Sequence, residues 1–122
     1  MKKLITILLT IGLLAFATTI GSAQTAPTSV IHVVTVKFKA DAKPDQIKAA
    51  LDGVLALPSK YKGITRVWVK AIKVQGDKTH AFVMEFTDEA ALKAYADSPA
   101  QKEWYQVYLP IREQSTTFDI TN

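Results

Sequence analysis

The sequence has no cysteine. No disulfide can brace the fold, no thiolate can act as nucleophile or soft metal ligand, and a bacterial lipoprotein anchor is excluded. Packing alone must hold the chain together. Histidine is scarce, with only His32 and His80, and no His/Asp/Glu spacing matches a transition-metal site. There is no glycine-rich phosphate loop, no nucleophile motif and no carboxylate pair spaced for acid/base work. Neither a metal nor a cofactor is expected. Charge of one sign is also lacking. The formal +4 includes Lys2 and Lys3, and without them 13 basic side chains face 11 acidic ones. A net +2 spread over scattered lysines gives no footprint for nucleic acid.

What is present begins with an export signal. Met1-Lys2-Lys3 is a short basic start, Leu4 to Ile20 is apolar apart from threonines and one glycine, and Gly21-Ser22-Ala23 supplies the small residues of a cleavage site. This pattern is a secretory signal peptide over 1–23. The apolar run of 17 residues sits at the lower limit for a membrane span, and its small-residue exit favours cleavage. The mature protein is therefore expected in the periplasm or outside the cell, free of the membrane. Residues 24–29 form a short polar leader, and residues 30–122 form one domain.

Along that domain, Val30 to Lys39 alternates as a first strand, with His32, Val34, Val36 and Phe38 on one side and Ile31, Val33, Thr35 and Lys37 on the other. Pro44 opens a helix whose apolar positions are Ile47, Ala50, Leu51, Val54 and Leu55, and Pro58 is expected to end it. A second strand is expected over Ile64 to Val74, with Val67 and Val69 on its free face. A tight turn at Gln75-Gly76-Asp77-Lys78 leads to a third strand over Thr79 to Phe86. Thr87 is placed to cap the next helix, with Asp88 and Glu89 in its first turn. Ser98-Pro99-Ala100-Gln101 restarts a helix as a capping box. Trp104, Val107, Tyr108 and Ile111 continue it at helical spacing, and Thr116 to Thr121 is the last strand.

The order is β-α-β-β-α-β with a broken second helix, a ferredoxin-like α+β fold. Right-handed crossovers put both helical connections on one face of a single four-stranded antiparallel sheet, in strand order 4-1-3-2. The other face is left bare although Ile31, Val33, Ala81 and Val83 lie on it. An apolar surface of that size needs a cover, and a second copy packed sheet to sheet is the expected one, burying on the order of 1,600 Å².

Three stretches in order carry a resemblance. They are Ile31-His32-x-Val34-x-Val36-Lys37-Phe38-Lys39, the run from Thr79-His80 through Tyr95 to Ser98-Pro99-Ala100, and Phe118-Asp119-Ile120. Together they resemble the stress-responsive α/β barrel (Dabb) family. The resemblance implies the same fold and a homodimeric barrel. In that family's plant polyketide cyclase branch, a tyrosine and a histidine six residues on form an acid/base pair. The tyrosine matches Tyr95, but the histidine position is Gln101, which cannot take a proton near neutral pH. That mechanism does not transfer.

The candidate catalytic groups are His32, His80 and Tyr95. Antiparallel pairing puts His32 and His80 about six residues, roughly 20 Å, apart, too far to share a metal. Strand four beside strand one brings Asp119 near His32, where it can orient the imidazole. Tyr95, Gln101, Trp104, Tyr108, Phe82 and Asp119 are the candidate ligand-binding residues. Aromatic residues at this spacing are more often core than pocket, and Phe82 is large for a pocket wall, so a small or filled cavity is expected. The reading is an exported dimeric domain that binds a small apolar ligand, with no reaction assigned and catalysis not favoured. The alternative is a small cyclase, lyase or monooxygenase-like enzyme using His32, His80 or Tyr95.

Overall fold

The computed structural model describes residues 26–122; the signal peptide expected over 1–23 and the first two residues of the leader lie outside the described residues. Strand β1 (Val30–Phe38), helix α1 (Pro44–Lys60), strands β2 (Ile64–Trp68) and β3 (His80–Phe86), helices α2 (Glu89–Tyr95) and α3 (Pro99–Tyr108), and strand β4 (Arg112–Ile120) follow in order. One four-stranded antiparallel sheet runs β2-β3-β1-β4. The order and the antiparallel pairing are those read from the sequence.

The core lies between the sheet and the helices. Val34, Val36 and Phe38 of β1, Phe82, Met84 and Phe86 of β3, and Ala50, Val54 and Leu57 of α1 are all buried. Each fully buried large side chain of this kind contributes about 1.5–3 kcal/mol through removal from water. Rings bind the layers together. Trp104 and Tyr108 of α3 stack at 4.3 Å with planes 9° apart, and Phe82 meets each of them edge-on at 5.6 and 5.8 Å. The indole Nε1–H of Trp104 donates to the carbonyl of Ala50 at 2.9 Å, which ties α3 to α1.

Several local expectations differ from the structure, each for a physical reason. Helix α1 passes through Pro58 to Lys60: a proline in the last turn forfeits one bond and leaves the earlier ladder intact. Its buried row is Ala50, Val54 and Leu57, whereas Leu55 is 52% exposed. The helix starts at Pro44 with the Gln46 side chain accepting from the Lys43 N–H at 2.9 Å. Asp88, not Thr87, caps α2, its carboxylate accepting from the Ala91 N–H at 2.7 Å. The Thr87 N–H instead donates to Gly63, so the chain extends one residue further before turning. Ser98 caps α3 as expected. The Gln101 carbonyl oxygen, however, takes the N–H of Asp97 at 2.7 Å rather than that of Ser98. Asp97 is in the left-handed region at φ 63°, which turns its N–H back toward the helix.

Strand β2 ends at Trp68, and residues 69–79 form a loop with a turn at Gly76, whose φ is 67°. Strand β4 begins four residues earlier than expected, at Arg112. The register pairs Val67 with Met84 and Trp68 with Val83. Val67 and Val69 therefore pack on the core side, and Arg66 and Trp68 occupy the open face.

That open face carries one apolar row straight across the sheet: Phe118, Val33, Val83 and Trp68, in register. Ile31 and Ile120 are paired beside it. Phe118, Ile120 and Trp68 are 56%, 58% and 46% exposed. Glu85, the one buried carboxylate among the described residues, sits at the edge of this face. It is held by the Arg66 guanidinium and by Ser29 Oγ at 2.9 Å, which together hold it below the usual carboxylate range. No helix among the described residues is long and apolar enough to cross a membrane.

Candidate functional site

A cavity of about 290 Å³ lies between the sheet and helices α2 and α3. It is not filled: Phe82 forms part of its wall without closing it. His32, Tyr95, Gln101, Trp104 and Tyr108 line it as well. The sequence analysis had named all six of these residues, and the fold brings them to one place.

β1 places His32 on the core side, opposite Asp119 of β4. The imidazole Nδ1 and the Asp119 Oδ1 are 2.5 Å apart. A carboxylate only accepts, so Nδ1 donates and the other ring nitrogen, Nε2, is left unprotonated when the ring is neutral. The edge-to-face contact with Phe86, at 5.8 Å between centroids, fixes the ring plane. Asp119 itself lines an adjoining outer groove with Val30, Glu89, Lys93 and Thr121, and Leu92 is common to the groove and the cavity.

Tyr95, at the end of α2, is packed against Phe86 and Tyr61, each at 5.4 Å. Its hydroxyl and that of Tyr108 are buried without a hydrogen-bond partner in the protein. Burial pushes both phenols up from their ordinary value, so both stay protonated and act as donors throughout the physiological range. Ser115 and Arg112 pull Tyr108 the other way by less, standing beside its hydroxyl short of hydrogen-bond geometry. Gln101 bridges the Asp97 N–H and the Tyr105 hydroxyl, 3.1 Å away. It orders the wall and has no proton to exchange.

His80 stands apart. Its register partner is Val36, four positions along β1 from His32 rather than six, and it lines a surface groove with the 69–74 loop. Its Nδ1 is 3.0 Å from Thr79 Oγ1 and its ring packs on Phe38 at 5.0 Å. Burial lowers its pKa, which favours a neutral structural ring. No group of three His, Cys, Asp or Glu residues among the described residues is placed to hold a metal ion.

Sequence reasoning missed Arg112, Ser115 and Thr117, which line the cavity from β4. The β1–β4 register shifts between Lys37 and Phe38: Lys37 pairs with Gln114, and Phe38 with Arg112. Glu113 is the extra residue. Without this bulge, alternation from Ser115 would turn Glu113 inward and Arg112 outward; the bulge reverses them. The only sequence signal was the serine and threonine alternation, and it was read one half-strand short.

An antiparallel α+β sheet with helices on one side and an aromatic-lined cavity beneath them defines a ferredoxin-like domain. The chain belongs to the stress responsive A/B barrel domain (Dabb) family, whose profile matches residues 30–122. Solved structures agree on the fold. A Dabb family protein with a ferredoxin-like fold from Mesorhizobium loti is 24% identical, with 77% of this chain and 96% of that chain covered at a TM-score of 0.64. A dimeric protein of unknown function from Bacteroides fragilis is 19% identical, covering 80% and 100% at 0.68. A hydroxynitrile lyase from Passiflora edulis is 19% identical, covering 79% and 94% at 0.70. No curated protein matches the chain.

Proposed function

We propose that the mature protein is an exported homodimer that binds a small, largely apolar molecule in the cavity beneath α2 and α3. One observation carries the binding reading. Tyr95 and Tyr108 line the cavity, and their hydroxyls are buried without a protein partner. Leaving such a group unpaired costs about 1–3 kcal/mol each, and a ligand acceptor that reaches either hydroxyl removes that cost. The apolar walls supply the rest of the affinity. The homodimer rests on the apolar row across the open face and on the dimeric description of fold neighbours from Bacteroides fragilis and Thermobifida fusca. Export rests on the pattern of residues 1–23, and N-terminal sequencing of the secreted form should begin at Gln24.

Mass spectrometry of small molecules that copurify, followed by a thermal-shift screen of the stripped protein, tests the binding reading. A bound compound that stabilises the wild type, and stabilises Tyr95→Phe less, is the expected result. If nothing copurifies and no compound shifts the melting curve, the binding reading is wrong.

A second reading is favoured by the 2.5 Å contact between His32 and Asp119. An imidazole oriented by a carboxylate, with its second nitrogen free beside a cavity, is arranged as a general base. The Tyr95 phenol would then stabilise developing negative charge as a hydrogen-bond donor. This suits a lyase or cyclase type of proton abstraction, and a lyase occurs among the fold neighbours. Turnover abolished by His32→Gln, with ligand binding retained, would establish it.

A further inference from the structure

We propose that the ligand is a carboxylate: a small acid with an apolar body, whose anionic group is held by Arg112. The proposal rests on the binding reading above and adds the charge class of the molecule bound.

The cavity contains no carboxylate side chain. Its ionisable wall residues are His32, Arg112 and three tyrosines, and its remaining polar groups are Gln101, Ser115 and Thr117. The other arginine of the chain, Arg66, is paired with Glu85. Arg112 is half-buried and has no acidic partner among the described residues. Its guanidinium lies over the Tyr108 ring at 5.6 Å. A guanidinium held over an aromatic face by its charge keeps N–H donors available to a carboxylate.

The acid nearest in sequence is Glu113, which the bulge sends to the opposite side of the strand, where Lys37 takes it at 3.2 Å. The same one-residue irregularity brings a cation into the cavity and removes its natural counter-ion. Ser115 and the unpartnered Tyr108 hydroxyl stand beside Arg112 and supply two further donors. A bidentate guanidinium–carboxylate pair with hydroxyl donors at its side is a complete anion site. A cationic ligand would meet an uncompensated arginine. Val34, Phe82, Met84 and Leu92 also line the cavity and suit an apolar body.

The test is calorimetric titration of the purified mature protein with matched pairs: phenylacetate and phenylacetamide, 4-phenylbutanoate and 4-phenylbutanamide, octanoate and octanamide. The acid of the best-fitting pair should bind at least about tenfold more tightly than its amide. Arg112→Gln should erase that preference while changing amide affinity less than about threefold, and Arg112→Lys should restore part of it, since lysine offers a point charge without the fork. An amide that binds wild-type protein as well as its acid overturns the anion assignment and leaves the binding reading standing. A preference for the acid that survives Arg112→Gln overturns the role of Arg112. If no member of any pair binds, the carboxylate assignment falls, and copurification with the thermal-shift screen decides the binding reading. Should Arg112→Gln fail to fold, the acid-to-amide ratio in the wild type still decides the charge class.

Discussion

His32 and Asp119 are 87 positions apart in the chain and 2.5 Å apart in space, joined through the β1–β4 register that pairs their backbones. The carboxylate lies on the groove side and the imidazole on the cavity side, so the pair forms the partition between the two. This arrangement fixes the tautomer. Long-range ¹⁵N–¹H spectra of the folded protein at about pH 8 should show the His32 proton on Nδ1. In Asp119→Ala the Nε2–H form should gain population. A wild-type ring that already carries its proton on Nε2 would remove the basis for a catalytic reading.

Gly53 lies where α1 meets α3. A Cβ built there would come 2.6 Å from Trp104 Cδ1 and 3.2 Å from its Nε1. The indole cannot swing away, because its N–H is bonded to Ala50 and its ring is stacked on Tyr108. Gly53→Ala should gain about 1 kcal/mol of helix propensity and lose more to overpacking, for a net destabilisation on the order of 1–2 kcal/mol. Urea denaturation monitored by tryptophan fluorescence reads the balance. An unchanged or raised midpoint would show that the two helices can separate.

His80 sets a pH dependence. Burial lowers its folded-state pKa below the ordinary 6.5, so the unfolded chain binds a proton more readily. Stability from this group is complete above the unfolded value and is lost as pH falls through the folded one. The melting temperature should therefore decline on acidification below about 6.5, and His80→Gln should decline less over the same interval. Glu85, held low by Arg66 and Ser29, acts in a separate and more acidic window, below its ordinary 4.5. Parallel melting curves for the two proteins down to pH 5 would refute the assignment to His80.

Phe118 tests the open face without touching the core. It is 56% exposed in the single chain and sits in register with Val33. The protein lacking residues 1–23 at micromolar concentration should scatter light as a dimer, and Phe118→Asp should scatter as a folded monomer. A charge in the apolar row would be buried at a sheet-to-sheet contact and repelled there. A dimer that survives the substitution would place the contact elsewhere.

The open face shows how far pattern reading reached. Alternation in β1 and β3 identified both faces correctly, because long strands with bulky residues every second position have one consistent way to lie. It failed in β2, where Val67 and Val69 were put on the open side. Five residues at a sheet edge give too short a run to fix the phase, and a register shift between Ile64 and Arg66 resets it. The site was legible to the same extent. His32, Tyr95, Phe82, Trp104 and Tyr108 stood at positions whose period pointed them inward, and Gln101 was named from its capping role and from the family resemblance. Helix α1 was misread at Leu55 for a related reason: three- and four-residue spacings both fit, and only packing against the sheet selects Leu57.

The sequence by itself determined the order of elements and the strand pairing, since these follow from periods of two and of three to four residues, from local capping chemistry and from the handedness of crossovers, and three motifs in order carried the family resemblance. The tertiary structure alone decided that the space under α2 and α3 stays open and that Arg112 enters it. A bulge is a mismatch between two strands, and neither strand carries it alone. Its one extra residue inverts which neighbouring side chain meets the cavity and so sets the charge found there.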